Sequence, residues 1–155
     1  MPPKIRIRKG TINDLESMID LETRGFKADR YSPEQFRYLL TKANSSVLII
    51  EYGKRIVGEA ILLWRRGIKV ARLYNIVIDP NMQGAGLGTK LLNACQNEAI
   101  KRRCRIFSLE VRADNKNAIE FYKKYGFKVT EKLPGYYSGI ASGLRMVKAI
   151  GLRYN

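Results

Sequence analysis

The chain contains no histidine. This absence excludes the Ser-His and Cys-His pairs that activate nucleophiles, and it excludes zinc sites that use imidazole ligands. It also removes the side chain that serves most often as a general base near neutral pH. Any proton transfer that the protein performs must therefore use carboxylates, tyrosines, lysines, cysteines, chain termini or water.

Cysteines and long apolar segments are scarce as well. The two cysteines, Cys95 and Cys104, provide neither a disulfide framework nor a cluster of metal ligands, so we expect no metal. We expect Cys95 to be a small buried hydrophobic residue of a helix. No apolar run reaches the roughly 18 residues of a transmembrane helix, and residues 1–8 lack the apolar region of a signal peptide. A cytoplasmic location without a membrane partner is the expectation.

Acidic residues are few compared with basic ones. The chain has 29 Lys and Arg against 14 Asp and Glu, and its formal net charge is +15. A field of this sign favours anionic partners such as nucleic acid, the ribosome or the phosphates of a cofactor. The densest cluster, 101–105, is interpreted as the cationic end of a helix, with a nucleic-acid patch as the alternative. The other basic residues are scattered, so nucleic acid is not expected to be the primary ligand.

A β-branched apolar segment is followed directly by a glycine-rich turn and then by residues with helical apolar spacing. The segment ends at Asp79-Pro80, and residues 83–89 read Gln-Gly-Ala-Gly-Leu-Gly-Thr. A strand, a glycine turn and a helix start in this order present backbone N–H groups at the positive end of a helix, where phosphates bind. Glycines permit φ > 0 and a close approach of the anion to the backbone. The spacing is that of neither common phosphate loop, because Gly-x-Gly-x-x-Gly and Gly-Lys-Ser/Thr are both missing.

A second pattern begins about twenty residues after the glycine turn. Residues 106–111 read as a short strand, and either Asp114 or Asn115 can cap the helix that follows. Apolar residues recur at helical spacing at 118, 119, 122 and 125. Gly126 stands where a left-handed residue ends a helix, and Phe127 opens another strand.

The rest of the chain predicts one domain over residues 1–155, without repeats or linkers. Ser32 followed by Pro33 indicates a helix start, and Gly53-Lys54 indicates a tight turn between two strands. The predicted strands are 5–9, 47–52, 55–64, 71–78, 105–111, 127–136 and 143–149. The predicted helices are 12–24, opened by Thr11 or Asn13, then 33–43, 86–102 and 115–125. This order indicates a mixed central sheet with helices on both faces.

Both patterns resemble one known family. The segment 83–88 is similar to the Gln/Arg-x-x-Gly-x-Gly/Ala loop with which the GCN5-related N-acetyltransferases (GNATs) hold the pyrophosphate of acetyl-CoA. The segment 108–127 resembles the second half of the same fold, most closely in the RimI-like branch, which acts on ribosomal proteins and N-terminal amines. The resemblance implies the GNAT fold, an α/β (α+β) architecture whose mixed, mostly antiparallel sheet of about seven strands is flanked by about four helices. It also implies an acetyl-CoA-dependent N-acetyltransferase.

The resemblance assigns roles to individual residues. Glu110 matches the glutamate that deprotonates the amine, and a salt bridge with Arg112 is the alternative. Tyr122 matches the tyrosine that protonates the leaving thiolate, and a core tyrosine is the alternative. Asn115 matches the asparagine that bonds the cofactor, although it can also serve as the helix cap. The expected cofactor-binding residues are Ile76, Val77, Ile78, Gln83, Gly84, Ala85, Gly86, Leu87, Gly88, Thr89, Asn115 and Tyr122, with the N–H of Ile76 or Val77 as oxyanion donor.

The resemblance also implies that two aromatic pairs contact the acceptor. Phe26 and Tyr31 follow the first helix, where anchoring of a loop to the core is the alternative, and Tyr136 and Tyr137 lie near the carboxyl end. In much of the branch the second loop continues as Gly-Glu-Asp-Ala, whereas residues 139–142 here read Gly-Ile-Ala-Ser. The missing carboxylates leave the identity of the acceptor open.

The expected acceptor is the N-terminal α-amine of a protein or peptide, attacked directly in a ternary complex. An acceptor bound to the ribosome would suit the positive charge of the enzyme. A lysine side chain, a small amine or a polyamine is the first alternative. The second is a basic nucleic-acid-binding or ribosome-binding protein that keeps the fold without the activity.

Overall fold

The computed structural model describes residues 3–25, 32–137 and 141–151, without the side chains of residues 136, 137 and 141. The strands in these ranges are β1 (Ile5–Lys9), β2 (Ser45–Tyr52), β3 (Arg55–Leu63), β4 (Val70–Ile78), β5 (Ile106–Arg112), β6 (Lys128–Tyr137) and β7 (Ala141–Ala149). The helices are α1 (Leu15–Gly25), α2 (Pro33–Thr41), α3 (Leu87–Lys101) and α4 (Lys116–Tyr125). Two 3-10 turns, Ile12–Asp14 and Pro80–Met82, precede α1 and α3. None of these helices is both long and apolar enough to span a lipid bilayer.

The seven strands form one sheet in the order β1-β2-β3-β4-β5-β7-β6. Strands β4 and β5 run parallel, whereas every other neighbouring pair is antiparallel. A mixed, mostly antiparallel sheet with four helices confirms the expected fold class.

The helices cover both faces of the sheet. One core lies between the sheet and helices α3 and α4 and includes Leu91, Phe107 and the fully buried Cys95, as was predicted for that cysteine. The second core lies between the sheet and helices α1 and α2. Because side chains alternate along a strand, the residues of β5 that do not enter the first core, which include Ser108 and Glu110, point to the opposite face.

Most of the predicted helix ends are confirmed. The side chain of Ser32 accepts a hydrogen bond from the Gln35 N–H ahead of Pro33, the Asn115 side chain accepts from the Ala118 N–H, and Gly126 adopts φ 112° after α4. The exception is the start of the first helix. Asp14 is held by Arg8 and by the Thr11 N–H, so residues 12–14 form a 3-10 turn and the α-helix begins three residues later than predicted.

A β-bulge divides β4 just before the glycine turn. Leu62 pairs with Leu73 and Ile61 pairs with Asn75, so β4 has one extra residue, Tyr74, between these two pairs. On the other side of β4, the pairing with β5 ends at Leu73 and Leu109. Strands β4 and β5 therefore separate from this point, and the bulge redirects the side chains that follow it.

Candidate active site

A cleft of about 590 Å³ lies where β4 ends, between the glycine turn and α4. All but one of the twelve predicted cofactor-binding residues line it; Ala85, at the exposed tip of the turn, does not. Five lining residues were not predicted: Gly25, Met82, Asn117, Ala118 and Phe121. For Phe121 a signal existed, since it lies one turn of helix after Ala118 and one residue before Tyr122.

The glycine turn has the geometry of an anion site. Gly84 and Gly86 adopt φ 88° and 80°, and a Cβ placed on either would meet no atom within 4 Å. These positions therefore require glycine for its backbone conformation and not for lack of space. Gly86 is also the N-cap of α3 and provides no side-chain hydrogen bond, so the first N–H groups of the helix have no side-chain cap. An anion at this helix end would satisfy these donors and interact favourably with the helix dipole.

Asp79 anchors the start of the turn. Its buried carboxylate accepts hydrogen bonds from the Asn81 N–H and from Arg24 and Arg55, which come from α1 and β3. Burial alone would raise the pKa of Asp79, but the hydrogen bonds from Asn81 and the two guanidinium groups outweigh it, and the pKa is lowered. The ionised carboxylate thus links α1, β3 and the 3-10 turn Pro80–Met82 next to the cleft. The sequence marked Asp79 as a strand end and missed this role.

The open edge of β4 forms another wall of the cleft. Ile76, Val77 and Ile78 pair with β3 at Ala60, Glu59 and Gly58, but they have no pairing with β5. An extended amide chain can add to such an edge in the way that a further strand does. Gly25 of α1 packs closely behind this edge, because a Cβ at that position would lie 2.3 Å from Val77 Cγ2.

Helix α4 brings Asn115 and Tyr122 to the same cleft. Asn115 caps the helix through its side chain, with 3.2 Å between Oδ1 and the Ala118 nitrogen. Tyr122 is 8% exposed, and its ring lies 5.4 Å from Phe121 and 5.7 Å from Phe127, measured between centroids. The tyrosine is therefore part of the core and of the cleft wall at once, so its two predicted roles do not exclude each other.

Glu110 lines a different groove, on the face of the sheet opposite to α3 and α4. This groove measures about 560 Å³ and is bordered by Leu63, Trp64, Arg65, Ile68, Val70, Arg72, Ser108, Glu110 and Arg145. The Glu110 carboxylate accepts hydrogen bonds from Arg72 Nε at 2.7 Å and from Arg145 Nε at 3.1 Å. The predicted alternative partner, Arg112, instead bonds Asp114. The alternative of a salt bridge at Glu110 is therefore confirmed, but its partners are Arg72 and Arg145, because Arg145 lies directly opposite Glu110 on β7, closer than the next residue on the same face of β5.

A buried acidic pair lies under α1, beside the open edge of β4. Glu59 is completely buried, and neither of its carboxylate oxygens has a hydrogen-bond partner among the described residues. Burial, together with the negative charge of Glu22, raises the pKa of Glu59 to about 9. Glu22 in turn accepts a hydrogen bond from Asn75 Nδ2 at 3.3 Å. The sequence offered one signal for this pair, a glutamate inside the apolar run of β3.

The predicted acceptor residues lie largely outside the described part of the chain. Phe26 and Tyr31 fall in the segment 26–31, which is not described, and for Tyr136 and Tyr137 only the backbone, in β6, is described. The described residues include no group of three or more His, Cys, Asp and Glu side chains that could hold a metal ion.

Comparisons with known proteins agree with this geometry. Residues 12–127 match the model of the acetyltransferase (GNAT) family. A protein of Methanocaldococcus jannaschii named as an uncharacterised N-acetyltransferase is 34% identical over 157 residues; the match covers 93% of this chain but 66% of that protein, slightly under two thirds of its length.

Two solved structures share the whole architecture. The crystal structure of the ribosomal-protein-S18-alanine N-acetyltransferase from Escherichia coli is 26% identical, has a TM-score of 0.88, and the match covers 98% of this chain and 97% of that one. The structure of Ard1 from Thermoplasma volcanium is 27% identical with a TM-score of 0.88, and the match covers 96% and 99% of the two chains.

Proposed function

Because the chain belongs to the acetyltransferase (GNAT) family and is an acetyl-CoA-dependent acyltransferase, we propose that its acceptor is the N-terminal α-amine of a protein. The observation that carries this proposal is the similarity, over almost the entire chain, to an enzyme that acetylates the alanine of a ribosomal protein. The second groove supports it, because a protein acceptor needs a surface for the residues that follow its amino terminus.

The described residues suit acetyl-CoA in three respects. The two left-handed glycines and the N-terminal N–H groups of α3 suit its pyrophosphate. The open edge of β4 suits the amide groups of its pantetheine arm. The cleft wall from Ala118 to Tyr122 suits the thioester end of that arm. When bound, the cosubstrate supplies an activated acetyl group.

Two proton transfers take place on the two sides of the gap between β4 and β5. We call the cleft lined by Tyr122 the cofactor cleft and the groove lined by Glu110 the acceptor groove. Tyr122 lines the cofactor cleft and provides a hydroxyl proton for the leaving thiolate. Glu110 lines the acceptor groove and takes a proton from the amine, through a water molecule. A backbone N–H of Ile76 or Val77 on the open edge of β4 stabilises negative charge on the carbonyl oxygen. The arginines that hold Glu110 fix the position of its carboxylate within the groove.

The acetyl group moves directly from cosubstrate to acceptor, without an acetyl-cysteine intermediate. Both cysteines are buried, and burial raises the pKa of Cys95 to about 12, so its thiol is protonated and unreactive. Neither cysteine lines the cofactor cleft. Intersecting double-reciprocal plots are expected, whereas parallel plots would contradict direct transfer.

The test is acetyl transfer from radiolabelled acetyl-CoA to a panel of peptides that differ in the amino-terminal residue. Each peptide has a twin with a blocked amino terminus and a free internal lysine. Labelling confined to free amino termini is the expected result. Labelling of the blocked twins would assign the enzyme to lysine acetylation. If no peptide is labelled although acetyl-CoA binds, the acceptor would be a non-peptide amine.

A further inference from the structure

Two loops at the end of the sheet farthest from the cofactor cleft are strongly basic. Residues 65–69, before β4, read Arg-Arg-Gly-Ile-Lys, and residues 101–105, before β5, read Lys-Arg-Arg-Cys-Arg. We call their seven exposed cations the basic pole: Arg65, Arg66, Lys69, Lys101, Arg102, Arg103 and Arg105. The length of β4, about 26 Å at ~3.3 Å per residue, separates the basic pole from the cleft.

The two loops are joined by backbone hydrogen bonds and enclose a pocket. The N–H groups of Arg105 and Ile106 both donate to the Lys69 carbonyl, at 2.8 and 3.2 Å. The pocket measures about 310 Å³, and its cationic lining residues are Lys69, Arg103 and Arg105. Residues that are 34 or more positions apart in the chain thus converge on one small basic cavity.

Most of this charge has no ion-pair partner among the residues that the structure describes. Arg102 pairs with Glu98 at 3.5 Å, but the other six cations of the basic pole form no ion pair with any described residue. Like charges at such spacing repel one another even when exposed to solvent. An anion that spans the two loops would remove this repulsion.

The backbone at Arg103 ends α3 in a Schellman motif, in which the Arg103 N–H donates to the Ile100 carbonyl and the Cys104 N–H donates to the Ala99 carbonyl. Arg103 has φ 63° and is the one non-glycine residue with positive φ in the described part of the chain. The position follows the C-cap of α3, where glycine adopts the left-handed conformation without steric penalty. Cations that complement a helix dipole would account for Lys101 and Arg102. They do not account for the second basic loop.

An aromatic platform borders the basic pole. The Arg102 guanidinium carbon lies 4.2 Å from the centroid of the Trp64 ring, and the Trp64 indole N–H donates to the Ser46 hydroxyl. Ile68, which lines the same groove as Trp64, is 44% exposed, and Ile106, at the start of β5, is 40% exposed. Five of the seven cations are arginines, whose planar forks bind phosphate oxygens with two donors. Unpaired bases stack on aromatic rings and guanidinium planes of this kind.

We propose that the basic pole binds single-stranded nucleic acid, with phosphates at Lys69, Arg103 and Arg105 and a base against Trp64 and Arg102. Arginines beside an aromatic ring favour this ligand over an acidic protein, which offers no bases to stack. They also favour it over an anionic membrane, since the basic pole consists of two loops and has no amphipathic helix to insert. Trp64, Arg65 and Ile68 also border the groove that contains Glu110, whereas Lys69, Arg103 and Arg105 line a separate pocket, so the phosphate contacts do not depend on the identity of the acceptor.

The test is a binding titration with labelled single-stranded RNA of about 12 nucleotides, repeated with DNA of the same sequence and with duplex RNA. For three to five phosphate contacts, log K is expected to fall against log salt with a slope of about −2 to −3.5. The two single strands distinguish RNA from DNA as the source of the ligand. Equal or tighter binding of a polyglutamate chain or of anionic vesicles would overturn the proposal.

Two variants of equal charge change locate the site. Lys69→Gln, Arg103→Gly and Arg105→Gln combined should weaken single-strand binding by about tenfold or more and flatten the salt slope. Lys4→Gln, Lys54→Gln and Lys132→Gln remove the same charge from exposed lysines away from the basic pole and should change binding little. Equal losses in the two triple variants would mean diffuse attraction and would overturn the site.

A single substitution separates binding from folding. Arg103→Gly removes one cation while relieving the positive φ, so the thermal midpoint is expected to be unchanged or higher while binding weakens. Acetyl-CoA affinity should be unchanged, because the cleft lies at the other end of β4. Undiminished nucleic-acid binding by this folded variant would contradict the role of the pocket.

Discussion

Glu59 shows at the scale of one residue how burial decides protonation. Glu59 lies near Glu22 of α1, and Glu22 accepts a hydrogen bond from Asn75 of β4. No basic group is among the causes of the pKa shift of Glu59. Its pKa in the folded chain is about 9, against 4.5 for the unperturbed group. Between these values the folded state holds a proton that the unfolded state has released. The contribution of Glu59 to the free energy of unfolding is therefore greatest below pH 4.5, and it declines as the pH rises toward 9.

Glu59→Gln removes this linkage while preserving the shape of the side chain. The variant should gain stability over the parent as the pH rises, by about 1.4 kcal/mol for each pH unit between the two pKa values. The measurement is the free energy of unfolding by urea at several pH values. Parallel pH curves for the two proteins would contradict the raised pKa.

Tyr122 and Glu110 are expected to contribute to turnover and not to cofactor affinity. Tyr122→Phe keeps the ring between Phe121 and Phe127 but removes the hydroxyl proton. Glu110→Gln removes the carboxylate from the acceptor groove, which lies apart from the cofactor cleft. Each should lower kcat by about 10²–10⁴ and leave the Kd for acetyl-CoA nearly unchanged.

Tyr125→Phe is the matched control for these variants, because Tyr125 is on the same helix and its hydroxyl donates to Asn93, outside the cleft. It should retain the parental kcat. An unchanged kcat in Tyr122→Phe or Glu110→Gln would remove that residue from the mechanism.

At the scale of elements, the turn between β4 and α3 depends on backbone conformation more than on side chains. Gly86→Ala introduces a Cβ where φ is 80°, although open space surrounds the position. We expect a loss of about 1 kcal/mol in the free energy of unfolding and a clearly higher Kd for acetyl-CoA, since the first N–H groups of α3 would be displaced.

Gly67→Ala provides the comparison for this element. Gly67 has φ 77° and open space around it, but it lies in the turn between β3 and β4, away from the cleft. The two variants should lose similar stability, measured by thermal unfolding, and only Gly86→Ala should lose acetyl-CoA affinity, measured by calorimetry. Equal acetyl-CoA affinities would show that the turn does not hold the cofactor.

At the scale of the whole molecule, a net charge of +15 on 155 residues opposes compaction. Added sodium chloride screens this repulsion over about 10 Å at 0.1 M, so the thermal midpoint should rise from low to moderate ionic strength. The triple variant of the basic pole should show a smaller rise than the triple variant of Lys4, Lys54 and Lys132, because the uncompensated charge is densest there. A midpoint independent of salt would contradict this account.

The sequence alone determined every feature whose physical cause lies within a few residues. Positive φ at Gly84, Gly86 and Gly126, the caps at Ser32 and Asn115, and the alternation of the strands are local, so they were predictable to within two residues in most cases. The family resemblance that these patterns carry predicted eleven of the residues that line the cleft at the end of β4. The start of α1 was missed because Arg8, on the preceding strand, shapes the turn there through Asp14.

Only the tertiary structure decided how distant residues meet. The bulge at Tyr74, the partners of Glu110, the proximity of Glu59 and Glu22, and the joining of two basic loops all depend on which strands pair and in which register. Register is set by the packing of whole faces, and a shift of one residue would turn every side chain of a strand to the other face. No short stretch of sequence contains that information, so these contacts appear only in the folded chain.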